Sequence, residues 1–423
     1  MSSARSAHHF FHLLHSFTSF TPSPPSLLHP FTPSPLHSFT PSLAMVIANI
    51  EDLRRLARRR LPRALFEFVD GGAHDEVTLR ANRADFERLN LIPRVLRDVS
   101  QRDQSVTVLG QSYSSPLVLA PTGVPGVLWP DGAMEAALAA DRAGVGFCLS
   151  TMSTSSIEQV SRAASRPIWF QLYVMRDRAL AQSMIERAQA AGCAALVITV
   201  DLQMQGLRER DVRNGLTIPP QLRLSNIADL AFHPGWVWRF VTGPKVTLAN
   251  LVGTGHGTDM FTIATFVNSQ FDQSVSWKDI DWVRSIWKGP LALKGVLNLE
   301  DARRALQHGV DGLIVSNHGG RQLDGVPSSI AVLPAVVDAV EGKLDVILDG
   351  GVRRGTDVLK ALALGARACM IGRPFLYGLA AAGGAGVARA LEILRTEIDV
   401  SLALLGRGGV AMLDRNAVAP APR

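Results

Sequence analysis

Residues 312–325 read GLIVSNHGGRQLDG, a short apolar run that changes abruptly to polar residues and glycines. The apolar part, 312–315, is typical of a buried strand. His318 can accept a proton near neutral pH, and Arg321 carries a rigid fork that binds a carboxylate through two hydrogen bonds. The two glycines between them allow a sharp turn beside a ligand. Because a histidine at a strand end is more often structural than catalytic, its interpretation depends on what the other strand ends carry.

Further apolar runs of this kind alternate with helical stretches along the chain. Near-continuous apolar strands separated by helices indicate a parallel sheet that is covered on both faces. Eight such units over roughly 250 residues predict an α/β fold, the (β/α)8 TIM barrel. A doubly wound open sheet is the alternative, but the glycine-rich turn that usually follows its first strand is absent from the sequence. The barrel is predicted over 116–385, with strands at 117–121, 145–151, 167–174, 195–201, 290–296, 312–318, 345–351 and 368–373.

Other segments flank or interrupt the predicted barrel. Residues 47–90 have helical spacing and predict an N-terminal helical segment. The connection after the fourth strand, 202–289, is far too long for a simple loop and indicates a lid or a binding element. Its aromatic stretch HPGWVWRF, at 233–240, suits either a membrane interface or a packed lid. A closing helix is predicted at 387–406, and a polar tail at 411–423.

Residues 1–44 differ from the rest of the chain, because serine, proline, histidine, phenylalanine and threonine dominate them. The pentapeptide FTPSP occurs at 20–24 and again at 31–35. This many prolines disfavour helices and sheets, so we predict a disordered low-complexity extension. Its composition matches neither a secretory signal nor a good transit peptide. We therefore expect the native protein to begin at Met45 and its folded domain to occupy 45–410.

The composition limits the class of function. The chain has 423 residues, of which 47% are hydrophobic and 19% charged, and this is a globular composition. Its formal net charge of +6 suits an anionic substrate, anionic lipid or nucleic acid. No nucleic-acid module and no stripe of aromatics among basic residues is present, so a nucleic-acid partner is disfavoured. The three cysteines lack metal-type spacing, so no metal is expected.

The ends of the seventh and eighth predicted strands, GGVR at 350–353 and IGR at 371–373, predict a phosphate site. Barrels of this kind often hold a phosphate there through backbone N–H groups and arginines. The alternative is that Arg353 and Arg373 only pair with acids on the rim. Lys294 ends an otherwise apolar fifth strand, so we expect it to face a charge on a cofactor. The alternative is that the ammonium group of Lys294 extends to solvent.

A second group of polar residues at the strand ends predicts proton transfer on an anionic substrate. A histidine–aspartate pair orients the imidazole and stabilises its charged form. Two arginines suggest that the substrate carries a carboxylate. The group consists of His318, Asp201, Tyr173, Arg321 and Arg208. The alternative interpretations are that Asp201 is an ordinary acid on the rim of the barrel and that Tyr173 is an ordinary aromatic residue of the core.

Together these residues resemble the FMN-dependent L-2-hydroxy acid dehydrogenase/oxidase family, which includes glycolate oxidase, flavin-dependent lactate dehydrogenases and mandelate dehydrogenase. The similarity extends from about residue 49 to about residue 410. The segments that carry it are SNHGGRQLD at 316–324, LDGGVRRGTD at 348–357 and FQLYV at 170–174. The segments APTG at 120–123 and GLRERD at 206–211 look most like the membrane-associated mandelate dehydrogenase branch.

The resemblance implies a substrate site that removes a proton and holds a carboxylate. The base is His318, with Asp201 as its partner. The residues implied for the substrate are Arg321 and Arg208 on the carboxylate, Tyr173 on the hydroxyl, and Met152 and Gly123 around the side chain.

The resemblance also implies FMN as the cofactor. Lys294 is expected near flavin N1 and O2, where a cation stabilises the anionic reduced ring. The other residues implied for FMN are Thr122, Ser150, Gln171, Thr199, Ser316, Asp349, Gly351, Arg353, Gly372 and Arg373.

Three positions bear on how this chain differs within the family. Phe68 stands where the family usually has a tyrosine that helps to bind the carboxylate, so one hydrogen bond is missing. Met152 is bulky enough to argue against a wide aromatic pocket, although methionine is flexible. Gly123 replaces an alanine of many oxidases, and a glycine there is common in dehydrogenases that react slowly with oxygen.

The expected reaction is the FMN-dependent oxidation of an L-2-hydroxy acid, lactate-like or mandelate-like, to the 2-keto acid. His318 takes either the hydroxyl proton during hydride transfer or the α-proton to leave a carbanion. Electrons then pass to a membrane quinone or a cytochrome, or to oxygen with formation of hydrogen peroxide. Two competing hypotheses are a non-catalytic flavin-binding barrel and a flavin isomerase. From the resemblance we expect a homotetramer that is cytoplasmic or peripheral on the inner face of the cell membrane, with 202–289 as the membrane contact.

Overall fold

The computed structural model describes most of the chain, and a closed barrel of parallel strands occupies its centre. The predicted disordered extension, 1–44, lies outside the described residues. Parts of the long insertion lie outside them as well. The described residues are 46–216, 221, 223–251, 265–266 and 269–422.

Eight parallel strands form the barrel within the described residues, and each pairs with its neighbours in chain order until the eighth closes on the first. The predicted (β/α)8 fold is therefore confirmed, and the doubly wound alternative is wrong. Every predicted run extends beyond the C-terminal end of the strand that it matches, so several polar site residues lie in the following loops. The strands are β1 (Leu117–Leu119), β2 (Gly146–Ser150), β3 (Trp169–Leu172), β4 (Ala195–Thr199), β5 (Leu291–Lys294), β6 (Gly312–Val315), β7 (Asp345–Asp349) and β8 (Ala368–Ile371).

The apolar strand residues divide between two cores. Alternate side chains of a strand point to opposite faces, so one set fills the barrel interior and the other packs against the helices. The interior set includes the fully buried Trp169, with Val118 and Ile314 in the same cluster. The outer set, which includes Leu119 and Phe170, belongs to the larger core that the helices share. Burial on both faces explains why these strands read as continuous apolar runs.

The predicted N-terminal helical segment is confirmed. Its first helix begins with a capping box, in which Asn49 and Asp52 satisfy each other's backbone N–H groups. The same helix ends before Pro62, which cannot continue it. Its apolar side packs on the last helix of the chain, so the segment is fixed to the barrel. The three helices are Ile50–Arg60, Arg63–Asp70 and Val77–Glu87.

Helices connect the barrel strands and cover them. The final helix, Arg373–Leu404, contains most of the segment predicted as a closing helix, and it is broken by non-helical angles at Ala382 and Gly383. A side chain at Gly383 would collide with Trp129, so the break brings two segments together closely. The other covering helices are Gly132–Ala143, Ile157–Ala163, Arg178–Ala190, Trp277–Ile286, Leu299–Ala305, Ser329–Val340 and Gly355–Ala363.

The long insertion after β4 is present, and its described part is helical. No side chain of the helices Leu224–Ala231 and Pro234–Thr242 is buried. A shorter helix, Glu209–Arg213, lies nearer to β4 in the chain and follows Arg208. Among the described helices, none has both the length and the apolar character needed to cross a bilayer.

Short strands lie outside the barrel. Val106–Val108 and Gln111–Tyr113 form a hairpin whose Tyr113 packs into the interior core. The segment predicted as a tail includes the strand Val418–Pro420, which pairs antiparallel with Leu89–Leu91. The end of the chain is thereby attached to the N-terminal helical segment.

Candidate functional site

A cavity of about 920 Å³, part of it open to solvent, lies at the C-terminal mouth of the barrel. Its position is where barrels of this type carry their chemistry. Phe68 and Val69 of the N-terminal helical segment form part of its wall. The predicted site residues that line it are Thr122, Gly123, Tyr173, Lys294, His318, Arg321, Asp349, Gly351, Arg353, Gly372 and Arg373.

The remaining predicted residues lie behind this lining. Ser150 donates a hydrogen bond to Gln171 Oε1 over 3.1 Å, and both side chains are buried. Thr199 ends β4 and is also buried. Met152 lies beside Gly123, since a Cβ added to this glycine would be 3.3 Å from Met152 Cβ. The others, Asp201, Arg208 and Ser316, contact lining residues directly.

His318 and Asp201 form the predicted pair, with 3.0 Å between His318 Nδ1 and Asp201 Oδ1. His318 has a left-handed backbone with φ of 56°, and its backbone N–H donates to Ser316 Oγ. Burial lowers the pKa of His318 below its usual value, although Asp201 acts in the opposite direction. The imidazole is therefore neutral near neutral pH. Because Nδ1 faces the carboxylate, Nε2 is the nitrogen that can accept a proton.

The carboxylate of Asp201 is itself held in an ionised form. Burial acts to raise the pKa of Asp201, but the facing His318 and the nearby Lys294 lower it overall. Its second oxygen, Oδ2, is buried and has no hydrogen-bond partner among the described residues. Gly295, with φ of 113°, lies so close that a Cβ there would be 2.6 Å from Asp201 Cβ. The negative charge next to His318 is therefore tightly enclosed.

Lys294 belongs to a buried network with two other predicted cofactor residues. Its Nζ lies 2.7 Å from Asp349 Oδ2 and donates to Ser316 Oγ over 2.9 Å. Ser316 Oγ in turn donates to Asp349 Oδ2 over 2.6 Å. Burial acts to lower the pKa of Lys294, but Asp349 and Asp201 raise it overall, so the ammonium stays charged. Lys294 thus presents a fixed positive charge at the cavity wall, and its head does not reach water.

Arg321 and Arg208 converge on the same side of the cavity. Arg321 Nη1 donates to the carbonyl of Phe68 over 2.5 Å and to that of Gly71 over 3.2 Å. Its guanidinium carbon also lies 5.0 Å from the centre of the Phe68 ring. Arg208 Nε donates to the carbonyl of Arg321 over 3.3 Å. Within the described residues Arg321 has no carboxylate at ion-pair distance, and burial lowers its pKa. A buried cation without an acid is a strong anion-binding element.

Tyr173 packs edge to face on Phe271, with ring centres 5.7 Å apart. Burial, together with Asp201, raises the pKa of Tyr173 to about 12. Its hydroxyl therefore keeps its proton at neutral pH and can donate a hydrogen bond to a ligand in the cavity.

Arg353 and Arg373 follow β7 and β8, and Arg373 shares the Gly71 carbonyl as an acceptor with Arg321. Arg373 donates to three backbone carbonyls, those of Val69, Gly71 and Gly319. Within the described chain neither arginine has an ion pair with an acid, so the rim-pairing alternative is not observed. The guanidinium of Arg353 is buried, and burial lowers its pKa. This part of the cavity carries an excess of positive charge.

Several residues that fix the site were missed by sequence reasoning. Asn317 and Asn82 exchange two amide hydrogen bonds of 2.8 Å and tie the His318 loop to the helix Val77–Glu87. Asp324 accepts the first N–H groups of this helix. Asp324 and Asn317 lie within the motif at 316–324. Nothing in the sequence around Asn82 indicates its role, because its partner Asn317 is far away in the sequence.

The aromatic residues in and beside the stretch 233–240 form two groups, one packed on the barrel and one exposed. Trp236 Nε1 donates to the carbonyl of Val127 over 2.9 Å, and its ring stacks on Phe240 at 4.8 Å. Arg239 lies over the Trp129 ring at 4.5 Å. Trp238, by contrast, is 70% exposed, and Phe232, just before this stretch, is 81% exposed. One side of these helices packs on the barrel, and the other presents apolar side chains outward.

The comparisons with known proteins agree on one family. The profile described as FMN-dependent dehydrogenase matches residues 57–420. An L-lactate dehydrogenase of Caulobacter sp. (strain K31) is 45% identical over 381 residues, which are 90% of this chain and 100% of that protein. An L-lactate dehydrogenase of Alcaligenes faecalis is 44% identical over 371 residues, 87% of this chain and 98% of that protein.

Solved structures give the same result. A crystal structure described as the monotopic membrane protein (S)-mandelate dehydrogenase superimposes with a TM-score of 0.86 at 40% identity, covering 89% of this chain and 100% of that one. A mandelate oxidase superimposes with a TM-score of 0.76 at 37% identity, covering 89% and 99%.

Proposed function

This chain belongs to the FMN-dependent dehydrogenase family, and from this premise we propose that it oxidises an L-2-hydroxy acid to the corresponding 2-keto acid. The observation that carries the proposal is the meeting of a neutral His318 with Arg321 in the cavity lining, with Asp201 and Arg208 directly behind them. A proton acceptor beside a carboxylate clamp is what such a substrate requires. The non-catalytic barrel is disfavoured because it has no use for this arrangement.

The residues of the cavity fit FMN. The amide nitrogen of Gln171 is buried and has no partner in the described part of the chain, as expected for a donor that meets a cofactor atom. Arg353 and Arg373 provide the unpaired positive charge that a phosphate needs, and Gly351 leaves space beside them. Lys294 supplies the charge for the ring system. When bound, FMN provides the two-electron acceptor that the protein side chains lack.

The residues divide the oxidation between binding and proton transfer. Arg321 and Arg208 hold the substrate carboxylate, and Tyr173 donates a hydrogen bond to the hydroxyl oxygen. The substrate loses two electrons and two protons; His318 Nε2 accepts one proton, and the two electrons and the other proton go to FMN when it is bound. The imidazolium that results is stabilised by Asp201, which lies 3.0 Å from its other nitrogen. This holds whether His318 takes the hydroxyl proton or the α-proton.

The substrate class is a short 2-hydroxy acid, with L-lactate as the first candidate. Met152 lies behind the cavity lining beside Gly123, and its bulk is the feature that argues against a wide aromatic pocket. Relatives that are 43–45% identical to this chain are named L-lactate dehydrogenases. Mandelate is the second candidate, because the structural similarity to (S)-mandelate dehydrogenase is strong.

The experiment that tests this reaction is anaerobic mixing of the FMN-loaded protein with L-lactate, L-mandelate, glycolate or a longer 2-hydroxy acid. We expect rapid loss of the oxidised flavin absorbance with L-lactate. Flavin that stays oxidised with all four acids would contradict the proposed reaction. Reoxidation that is slow in air but fast with a quinone analogue would support a dehydrogenase. Stoichiometric hydrogen peroxide would instead identify an oxidase.

The outer surface of the insertion is the feature that bears on the choice of electron acceptor. We propose that Leu224–Ala231 and Pro234–Thr242 dock on the inner face of the cell membrane, where a quinone takes the electrons. Leu224 is 86% exposed, and Trp238 and Phe232 project from the same region. A large exposed apolar surface indicates a membrane or protein contact.

Sedimentation with anionic phospholipid vesicles tests this docking. The double variant Trp238→Ser, Phe232→Ser should lose vesicle binding and keep flavin reduction by hydroxy acid. Leu404→Ser is the matched control, because Leu404 is an exposed apolar residue on a different helix. Equal sedimentation of both variants and the unaltered protein would contradict the docking.

We also propose a homotetramer, which is the assembly expected from the family resemblance. Sedimentation velocity in detergent-free buffer should give the mass of four chains. A monomer that reduces its flavin at the full rate would contradict the assembly without affecting the reaction.

A further inference from the structure

Gln322 follows the clamp residue Arg321 directly, and it is buried. Both ends of its amide are engaged. Nε2 donates to the carbonyl of Asp201 over 2.9 Å and to that of Met204 over 3.1 Å. Oε1 accepts from the backbone N–H of Gly206 over 3.3 Å and from Arg208 Nη2 over 3.4 Å. One side chain thus contacts the backbone of the base's partner and the guanidinium of the second clamp residue.

From these contacts we infer that Gln322 is a positioning residue that couples the proton-accepting pair to the carboxylate clamp. The inference rests on the proposed function. Asp201 and Arg208 begin and end one loop after β4, whereas His318 and Arg321 belong to the loop after β6. Gln322 joins the two loops, so it sets the distance between the group that accepts the proton and the groups that hold the carboxylate.

The two loops approach each other too closely for a side chain to fit between their backbones. A Cβ added to Gly206 would lie 2.5 Å from the carbonyl oxygen of Arg321 and 2.8 Å from Gln322 Cα. The glycine lets the backbones meet, and the Gln322 amide then satisfies the polar groups that this contact buries. Buried polar groups without partners are costly, so the amide holds the loop in one position.

The chemistry of the contact requires an amide. Two carbonyls need donors, and one N–H and one guanidinium need an acceptor; the glutamine side chain supplies both. A glutamate has the same shape but would place an oxygen against two carbonyl oxygens and add a negative charge beside Arg208. A methionine has a similar length but can neither donate nor accept strongly.

The test compares Gln322→Glu and Gln322→Met in the full-length FMN-bound protein. Both variants should raise the KM for L-lactate about tenfold, because Arg208 either gains a second acid beside Asp211 or loses the acceptor that positions its Nη2. The acid limb of the pH profile of kcat/KM should move in opposite directions in the two variants. The added charge in Gln322→Glu raises the pKa of His318 and moves the limb to higher pH. Gln322→Met loosens Asp201, lowers that pKa and moves the limb to lower pH.

Gln203→Glu is the matched control. Gln203 lies in the same loop and is exposed, and within the described chain its side chain donates to the carbonyl of Val200. This variant should keep the KM and the pH profile of the unaltered protein. In a double-mutant comparison, Gln322→Met should add little to the KM effect of Arg208→Met, because the two residues act on the same step.

Several results would overturn the inference. Unchanged KM and pH profiles in both Gln322 variants would do so, as would shifts of the acid limb in the same direction. Loss of FMN and of cooperative unfolding in both variants would show a role in folding alone. If the unaltered protein does not reduce its flavin with any hydroxy acid, the proposed function itself fails. The two failures are therefore distinguishable.

Discussion

At the scale of single residues, two opposing effects act on the pKa of His318, the proposed base. Burial in the cavity lowers its pKa, and Asp201 at 3.0 Å limits this decrease. The base is neutral before the reaction, and its charged form has a partner as soon as it accepts a proton.

The pH dependence of kcat/KM should report this balance. His318 must be neutral to accept a proton, so activity falls as pH decreases through its pKa. Since that pKa is lowered, the midpoint of the acid limb should lie below about 6.5, the ordinary histidine value. Asp201→Asn should move the midpoint further down and reduce kcat. A midpoint above that ordinary value, or an unchanged profile in the variant, would contradict this assignment.

Phe68 is the position at which this chain departs from the family pattern. Its ring packs on Arg321 and its carbonyl accepts a hydrogen bond from the guanidinium, but no hydroxyl is available for the substrate. Phe68→Tyr should therefore lower the KM for L-lactate by about tenfold, since a hydrogen bond to a charged group contributes about 1.5 kcal/mol or more.

Steady-state kinetics on the purified protein measures this change. Phe66→Tyr is a suitable control, because Phe66 is buried in the same helix and does not line the cavity. It should not lower the KM. An unchanged KM in Phe68→Tyr would mean that the hydroxyl of this position does not reach the carboxylate.

At the scale of elements, the loop after β7 depends on a glycine. Gly351 has φ of 83°, and a Cβ there would be 2.0 Å from the carbonyl oxygen of Asn82. Gly351→Ala should push the helix Val77–Glu87 away from the loop that carries Arg353. The expected result is a lower ratio of bound flavin to protein, measured by absorbance.

Gly110→Ala is the control that distinguishes the effect of this clash from the effect of backbone strain. Gly110 also has a positive φ, of 73°, but nothing lies within 4 Å of an added Cβ. This control should lose some thermal stability and keep its full flavin content. Equal flavin content in both variants would contradict a role of Gly351 in the cofactor loop.

The strands and helices differ in how far the sequence predicted them. The eight barrel strands could be predicted because burial on both faces makes them continuously apolar, as in 312–315. The pairing of Val418–Pro420 with Leu89–Leu91 could not, because both strands are short, partly exposed and far apart in the sequence. The break at Ala382 and Gly383 depends on Trp129, which approaches it only in the folded chain.

The residues of the candidate site also divide into those that the sequence predicted and those that it did not. His318, Asp201 and the arginines follow strand ends, and the barrel brings strand ends together regardless of sequence separation. The amide pair of Asn82 and Asn317 and the contacts of Gln322 arise between loops and helices whose spacing no local pattern encodes. Sequence reasoning therefore predicted the chemical groups, and the structure adds the contacts that orient them.

At the scale of the whole molecule, the N-terminal helical segment completes the cavity. Arg321 follows β6 and Arg373 follows β8, and both donate to the carbonyl of Gly71 in this segment. The segment therefore closes one side of the cavity and contacts both the proposed carboxylate-binding arginine and a proposed phosphate-binding arginine. The exposed insertion helices follow the C-terminal end of β4, so the chemistry and the proposed membrane contact belong to the same end of the barrel.

The most direct measurement is single-turnover reduction of the bound flavin by L-lactate in stopped flow, without oxygen, in the unaltered protein and in His318→Gln. Both proteins should hold FMN, because His318 is not among the groups expected to hold the phosphate. The unaltered protein should reduce its flavin rapidly, and the variant should lose nearly all of this rate. Reduction at the same rate in both proteins would show that His318 is not the base and would contradict the mechanism.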